Sequence, residues 1–338
     1  MTRAAISLIK SDLPEKWQQL LSDLITDPKE LLQILELDAD KHPFSKTGVL
    51  QFPLKVPRTF AALMEKGNWN DPLLRQVWPF AAEAEQVTGF IADPLGEAQC
   101  NPVSGLLHKY QGRVLLTTVP HCAVHCRYCF RRHFDYAANS PSRAEWQEVL
   151  DYIIADDSIE EVILSGGDPL AASDRQLRWL IQQLGQISHL TTLRIHSRFP
   201  IVIPQRITPD LTLLLRESSL RVVMVLHCNH ARELSRELAI RLSTLVTNGV
   251  TLMNQTVLLR EINDNSTILV ALSKALGAHN IQPYYLHLPD KVAGTSHYAV
   301  SKESALLLME EMQRQLPGYL VPKLVQEESG ANAKVRLT

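Results

Sequence analysis

Residues 121–130 read HCAVHCRYCF and hold three of the chain's five cysteines, Cys122, Cys126 and Cys129, in a C-x3-C-x2-C spacing. Thiols this close can pair as a disulfide, hold a metal, or sit idle as small apolar side chains. A disulfide leaves one of the three over. The start of the chain, MTRAAISLIKSDLPEKWQQL, is broken by Lys10, Asp12 and Lys16 and reads as no secretion signal, so a reduced, cytoplasmic setting is expected. Structural zinc takes four ligands, commonly two separated pairs, and His121, His125 or His133 would have to complete the set. Idle cysteines are common, but three within eight residues of a polar, aromatic loop rarely are. An iron–sulfur cube normally takes four thiolates. With three, one iron keeps an open corner for a small molecule, unless Cys100 or Cys228 closes it. On spacing alone, zinc and iron both stand.

Other residues able to do chemistry fall in SGGDP (165–169), HSR (196–198), HCNH (227–230), the NQ pair Asn254 and Gln255, HLPDK (287–291) and the tail SGANAK, which ends at Lys334. Each stands at or just after a short apolar run. From Arg113 onward such runs alternate with helical patterns: RVLLTTV, then RAEWQEVLDYIIA; EEVILS, then SDRQLRWLIQQLGQI with Ser173 as N-cap. TTLRIHS precedes TPDLTLLLRES, and LRVVMVLH precedes RELSRELAIRLSTLVTNG, a helix closed by Gly249. VTLMNQTVLL, STILVALSKALGAHN, IQPYYLHL, SKESALLLMEEMQRQL and a last extended YLVPKLVQE complete the series. Strands apolar on both faces belong to a parallel sheet covered by helices. About six strand–helix units suit a full or partial (β/α) barrel. A doubly wound sheet stays open, although no G-x-G-x-x-G follows the first strand. A barrel places its chemistry at the carboxyl ends of its strands, where these residues fall.

Before residue 106 the pattern differs. PEKWQQLLSDL, PKELLQILEL and PRTFAALMEKG each open with proline and carry apolar residues at helical spacing. The expected organisation is a helical lead-in over 1–105, a barrel over 106–318 and a C-terminal segment over 319–338. Apolar residues make up 45% of the 338 residues and charged ones 21%, enough for a sizeable core. A net charge of −2 gives no broad nucleic-acid footprint, and the chain has no apolar run long enough to predict a membrane span.

The cysteine spacing, with Tyr128 before the last thiol and a strand before the loop, resembles the signature of radical S-adenosylmethionine enzymes. From about residue 50 the segments DPLLRQV, HKYQGRVLL, CRYCFRRHF, SGGDPL, RIHSR, NQTVLLREIND and PYYLHLPDK appear in the order of the lysine 2,3-aminomutase family. The resemblance implies an α/β fold, a partial (β/α)6-type radical S-adenosylmethionine barrel with an N-terminal helical segment. It implies a 4Fe–4S cluster on Cys122, Cys126 and Cys129, S-adenosyl-L-methionine against Gly166, Gly167, Asp168 and His230, with His227 and Asn229 nearby, and pyridoxal 5'-phosphate in a Schiff base with Lys334 beside Tyr110, Arg113 and Gln255. The glycine-rich segment is expected to leave amides free for the methionyl part. Arg131 resembles the residue that pairs with a substrate carboxylate, and Asp290 one that holds a distal ammonium. Glu327 stands where the family has aspartate.

The implied reaction converts (S)-α-lysine to β-lysine, the (R) product serving β-lysylation of elongation factor P by a lysyl-tRNA-synthetase-like ligase. An electron donor such as flavodoxin is implied, and a homo-oligomer is compatible. The run of glycines usual before the lysine is reduced to Gly330, and the sequence stops where clostridial-type members continue. An aminomutase for another amino acid, or a non-catalytic zinc-stabilised binding module, are the competing expectations.

Overall fold

Short caps build the lead-in. The computed structural model describes residues 16–136, 139, 141–142 and 145–337. The opening helix α1 (Trp17–Ser22) is followed by β1 (Leu24–Ile25), α2 (Pro28–Ile34), α3 (Lys46–Gln51), β2 (Val56–Pro57) and α4 (Arg58–Ala61). Asp27 caps α2 by accepting from the Lys29 amide at 2.9 Å, and Pro28 opens its first turn as expected. Pro14, expected to open the first helix, lies outside the described residues. The helix expected to run through PRTFAALMEKG stops after Ala61, where the amides of Leu63 and Met64 fold back as tight turns onto Phe60 and Ala61.

Nine strands form the main sheet: β3 (Leu106–Tyr110), β4 (Arg113–Val119), β5 (Glu161–Gly166), β6 (Thr192–Ser197), β7 (Arg221–His227), β8 (Thr251–Val257), β9 (Gln282–His287), β10 (Lys323–Gln326) and β11 (Val335–Arg336). Their spatial order follows chain order from β3 to β11 without reversal. A doubly wound sheet reverses at a switch point, so that alternative is excluded. Strands β4 to β10 are all parallel: β4 to β9 with their helices make the six units expected, β10 is the last extended piece, and each edge carries an antiparallel strand. Among the described residues β3 and β11 pair only with β4 and β10, which leaves a partial barrel.

The remaining helices are α5 (Glu145–Ala155), α6 (Asp174–Leu184), α7 (Phe199–Val202), α8 (Pro209–Arg216), α9 (Arg236–Thr247), α10 (Ser266–Ala278) and α11 (Lys302–Gln315), all carried by the connections between parallel strands. Arg143 and Ala144, expected at the start of α5, lie outside the described residues. Ser173 caps α6 in a reciprocal box with Gln176. The α9 helix begins at Arg236 rather than Arg232, because Glu233 turns inward to Arg198 and Ser235 supplies the cap.

Trp17, Ile25, Leu31, Phe60, Leu74 and Trp78 of the lead-in share one apolar core with Val114, Leu164, Ile195 and Met224 of the sheet. A buried ion cluster adds to that contact. Glu83 accepts from Arg127 Nε at 2.7 Å and from Arg132 Nη2 at 2.8 Å, while Arg127 also donates to the Phe52 carbonyl. Glu83→Ala strands two buried guanidinium groups. It is expected to cost about 3–5 kcal/mol in urea denaturation, against under about 1 kcal/mol for an exposed acid such as Glu36.

Candidate active site

Strand β4 ends at Val119, and the next ten residues carry the three thiols. The lead-in lies over this loop: Arg127 N donates to Gln76 O at 2.9 Å and His125 N to Lys55 O at 3.0 Å. Burial pushes Cys122 up strongly and Cys129 to about 11; Cys129 and Cys126 raise Cys122 further, and Cys126 raises Cys129, so the three sulfurs share one enclosure. Bare thiolates there are costly, and metal coordination removes that cost by replacing the protons. Among the described residues no three His, Cys, Asp or Glu side chains close around a single ion.

Three of the five candidates for a fourth ligand are engaged elsewhere. His125 Nδ1 meets the Pro53 carbonyl at 2.7 Å with its ring stacked on Phe52, His133 Nε2 meets the Ala293 carbonyl at 3.1 Å, and Cys228 Sγ donates to the His230 carbonyl at 3.3 Å.

The SGGDP segment follows β5 and presses on this loop. A Cβ on Gly167 would stand 2.5 Å from the His121 carbonyl oxygen, and Gly166 has φ +104°, so only glycine fits at either position. The expectation of free amides needs correction. Gly167 N donates to Val119 O and Asp168 N to His121 O, each at 3.0 Å. The glycines therefore permit close approach of two chain segments and dock the loop. Asp168 is buried and its carboxylate is saturated. Oδ1 accepts from Leu170 N and Ser197 Oγ, and Oδ2 from Arg198 N and Phe199 N at 2.8 and 2.9 Å. Those bonds offset a burial that still leaves its pKa raised to about 6. Asp168 braces the end of β6.

That brace aims Arg198, which the sequence placed in HSR without assigning it a role. The buried guanidinium donates to Cys126 Sγ at 2.9 Å, to Gln76 Oε1 at 2.7 Å and to Glu233 at 3.1 Å, and it bonds the Tyr128 hydroxyl. Asn229 joins the network through Nδ2, which donates to Tyr128 and Gln76. An arginine and a glutamate bordering apolar strands were the available signal, but the pairing spans residues 76 to 233. His230 is half-buried, accepts from Arg232 N through Nδ1, and faces Arg232 and Asp71.

The two members of the NQ pair part as a strand requires. Asn254 is buried on the backbone of Cys228, while the Gln255 amide meets His227 Nε2 at 2.7 Å on the inner side. His196, His227 and His287 line that side from β6, β7 and β9, and burial pushes all three well below the usual imidazole range, so they are neutral. Nε2 of His196 and of His287 is buried with no partner.

The β10–β11 pair, with Gln326 opposite Val335, returns the tail to the sheet and sets Lys334 beside Glu327. Lys334 Nζ lies 5.8 Å over the Tyr285 ring, and its charge lowers the pKa of all three histidines. Glu327 also accepts from the Tyr110 hydroxyl at 2.5 Å and pairs with Lys109 at 3.1 Å, and the Arg113 guanidinium lies 4.9 Å over Tyr110. Burial pushes Glu327 up, but Lys334, Tyr110 and Lys109 outweigh it and hold it at about 2. Asp290 goes the other way: burial first, then Glu327, raise it to about 7. Arg131 is buried between Phe130 and Phe134, forked by Glu97 at 2.6 and 2.7 Å and donating to Ser165 Oγ at 3.2 Å. Glu97 and Lys109, neither singled out from sequence, join the site through Arg131 and Glu327 respectively.

Residues 116–264, from the end of β4 through β8, match the Radical SAM superfamily. Fold, thiol loop and match together define a radical S-adenosylmethionine enzyme, whose cofactors include a 4Fe–4S cluster and S-adenosylmethionine. The chain is 47% identical over 335 residues to the L-lysine 2,3-aminomutase of Escherichia coli (strain K12), covering 99% of this chain and 98% of that one. It is 48% identical over 316 residues to that of Haemophilus influenzae, covering 94% of each. It is 32% identical over 319 residues to that of Clostridium subterminale, covering 94% of this chain and 76% of the relative. The chain belongs to the L-lysine 2,3-aminomutase family, a family of isomerases. No described helix is long and apolar enough to cross a membrane.

Proposed function

We propose that the chain moves the amino group of L-lysine from C2 to C3, converting (S)-α-lysine to β-lysine with pyridoxal 5'-phosphate as a further cofactor. One observation carries the substrate class. A buried arginine and a pair of acids, Asp290 and Glu327, act on one enclosure that also holds a lysine amine. That set suits an amino acid with a carboxylate at one end and a cation at the other.

Cys122, Cys126 and Cys129 would hold the cluster, which together with S-adenosylmethionine would supply hydrogen-atom abstraction at C3. Pyridoxal phosphate, attached through Lys334, supplies a π system for the migrating nitrogen. The unpartnered Nε2 atoms of His196 and His287 are polar groups that a bound ligand would satisfy. Tyr110 and Arg113 flank the lysine pocket through Glu327 and their own stacking. Arg131 binds the substrate carboxylate. Asp290 and Glu327 take the side-chain ammonium, which favours lysine over an acidic amino acid. The lead-in, packed on the thiol loop, keeps water from the reacting carbons. Gly166 and Gly167 hold the loop that would receive S-adenosylmethionine, and His230 marks its outer side.

Anaerobic incubation of the reconstituted protein with L-lysine, S-adenosylmethionine and dithionite should yield β-lysine. Turnover of another amino acid in its place would defeat the substrate assignment. The family likeness to the short bacterial enzymes supports an (R) product passed to a lysyl-tRNA-synthetase-like ligase acting on elongation factor P, with flavodoxin as reductant.

The Asp290 carboxyl gives a pH prediction. Below about pH 7 it is neutral in the resting site, and above that it is a carboxylate able to pair with an ammonium. L-lysine affinity should therefore rise with pH through about 7, by up to about tenfold per unit below it, and Asp290→Asn should flatten the profile. Titration calorimetry between pH 6 and 8 reads both. The stability effect has the opposite sign: a carboxyl held above its unfolded value contributes most below that value, and this contribution is lost as pH climbs toward 7.

A further inference from the structure

We propose that Glu97 is a resident carboxylate that occupies Arg131 in the absence of substrate, and that an α-amino acid binds by displacing it. The inference rests on the reading of Arg131 as the carboxylate site.

Glu97 meets Arg131 as a free carboxylate ligand would. Its two oxygens accept from Nε and Nη2 at 2.7 and 2.6 Å, while Nη1 is turned to Ser165. The Phe130 and Phe134 rings lie 4.8 and 5.8 Å from the guanidinium carbon and limit its other approaches. Both partners are nearly sequestered, with 7% and 12% of their side chains exposed. An incoming carboxylate therefore cannot add to this pair; it has to replace Glu97. The exchange is like for like, two charge-assisted bonds for two, so it leaves no buried arginine unpaired.

The segment that carries Glu97 is placed to yield. It is a short turn outside the sheet, with Gly96 at φ +64° and the Glu97 amide on Asp93 Oδ1. It also touches both arms of the site. Ile91 exchanges backbone bonds with Lys291 and Ala293, next to Asp290. A Cβ on Gly96 would lie 3.2 Å from Ser329 Oγ, five residues before Lys334.

Two consequences separate this from a purely structural Glu97–Arg131 pair. The apparent affinity for a carboxylate ligand is reduced by the fraction of sites that Glu97 holds. A ligand with the same amines but no carboxylate leaves Glu97 in place and gains nothing from its removal.

The test uses the full chain with cluster and pyridoxal phosphate loaded and S-adenosylmethionine withheld, titrated anaerobically with L-lysine and with 1,5-diaminopentane. In Glu97→Gln the Kd for L-lysine should fall about tenfold while that for diaminopentane stays within about twofold. An unchanged or weaker L-lysine Kd overturns the proposal, as does equal tightening of both ligands. If Glu97→Gln does not fold, Glu97→Asp, which keeps the charge but shortens the reach, must tighten L-lysine in the same sense; failure to do so overturns it equally. Arg131→Gln separates this from the parent reading. Should L-lysine keep its advantage over diaminopentane there, Arg131 is not the carboxylate site and both readings fall. Should that advantage vanish while Glu97→Gln binds lysine no tighter, only the displacement fails.

Discussion

Cys126→Ala protein should purify folded, hold little iron or acid-labile sulfide, lack the brown colour of the parent, and show no β-lysine above background. The proposed ligand set is these three sulfurs, and three of the alternatives, His125, His133 and Cys228, are committed to backbone carbonyls. With two thiolates left, a cube has no stable hold. The fold should survive because Cys126 is one partly buried contact at the margin of a large apolar core. Arg198, which loses its bond to Cys126, keeps Gln76, Glu233 and Tyr128. A control makes the claim specific: Cys228→Ala should keep its iron, because that thiol only donates to the His230 carbonyl. Full iron content in Cys126→Ala, or loss of iron in Cys228→Ala, would contradict the assignment of three ligands and an open corner. Zinc in place of iron in the parent protein would contradict it more deeply.

Lys334→Ala should lower turnover by on the order of 10^4 or more, with iron and sulfide unchanged and the pyridoxal absorbance gone. The lysine supplies two separable things, a nucleophilic amine and a positive charge beside Glu327 and near Asp290. Lys334→Arg keeps the charge without the nucleophile, and it should be as inactive as alanine. If arginine restores activity, Lys334 acts as a counter-ion and the cofactor is attached elsewhere. Loss of the amine should not unfold the tail, because Glu327 still holds Lys109 and Tyr110, and Leu324 and Val325 are buried in the sheet. The tyrosine contact gives a graded comparison. Tyr110→Phe removes one bond to Glu327 but leaves both cations, so its effect on turnover should be far smaller than that of Lys334→Ala.

Much of this protein is readable from local pattern. Strands β5 and β7 were legible as near-continuous apolar runs buried on both faces, the other strands from β4 to β10 as shorter runs in which buried residues are mixed with half-exposed ones, and the intervening helices because an apolar stripe recurs at their own period. Ser173 and Gly249 marked helix ends because capping is chemistry between near neighbours. The thiol loop was legible because its ligands lie within eight residues. Lys334 was legible only through family likeness, since alone it resembles any tail lysine.

What the tertiary structure alone decided depends on groups far apart in sequence. The edge strands β3 and β11 are short and half exposed, and they are strands because β4 and β10 offer them free backbone groups. The return of β11 then delivers Lys334 to Glu327. The Arg198 network joins residues 76, 126, 128, 198, 229 and 233. The SGGDP segment looked like a set of donors for a ligand, but the path of residues 119–121 took up the amides of Gly167 and Asp168. Glu97 reached Arg131 across 34 positions. Hydrophobic period and capping are set by neighbours along the chain. A buried charge is set by whichever partner the fold brings within hydrogen-bonding distance, and local pattern carries no record of that choice.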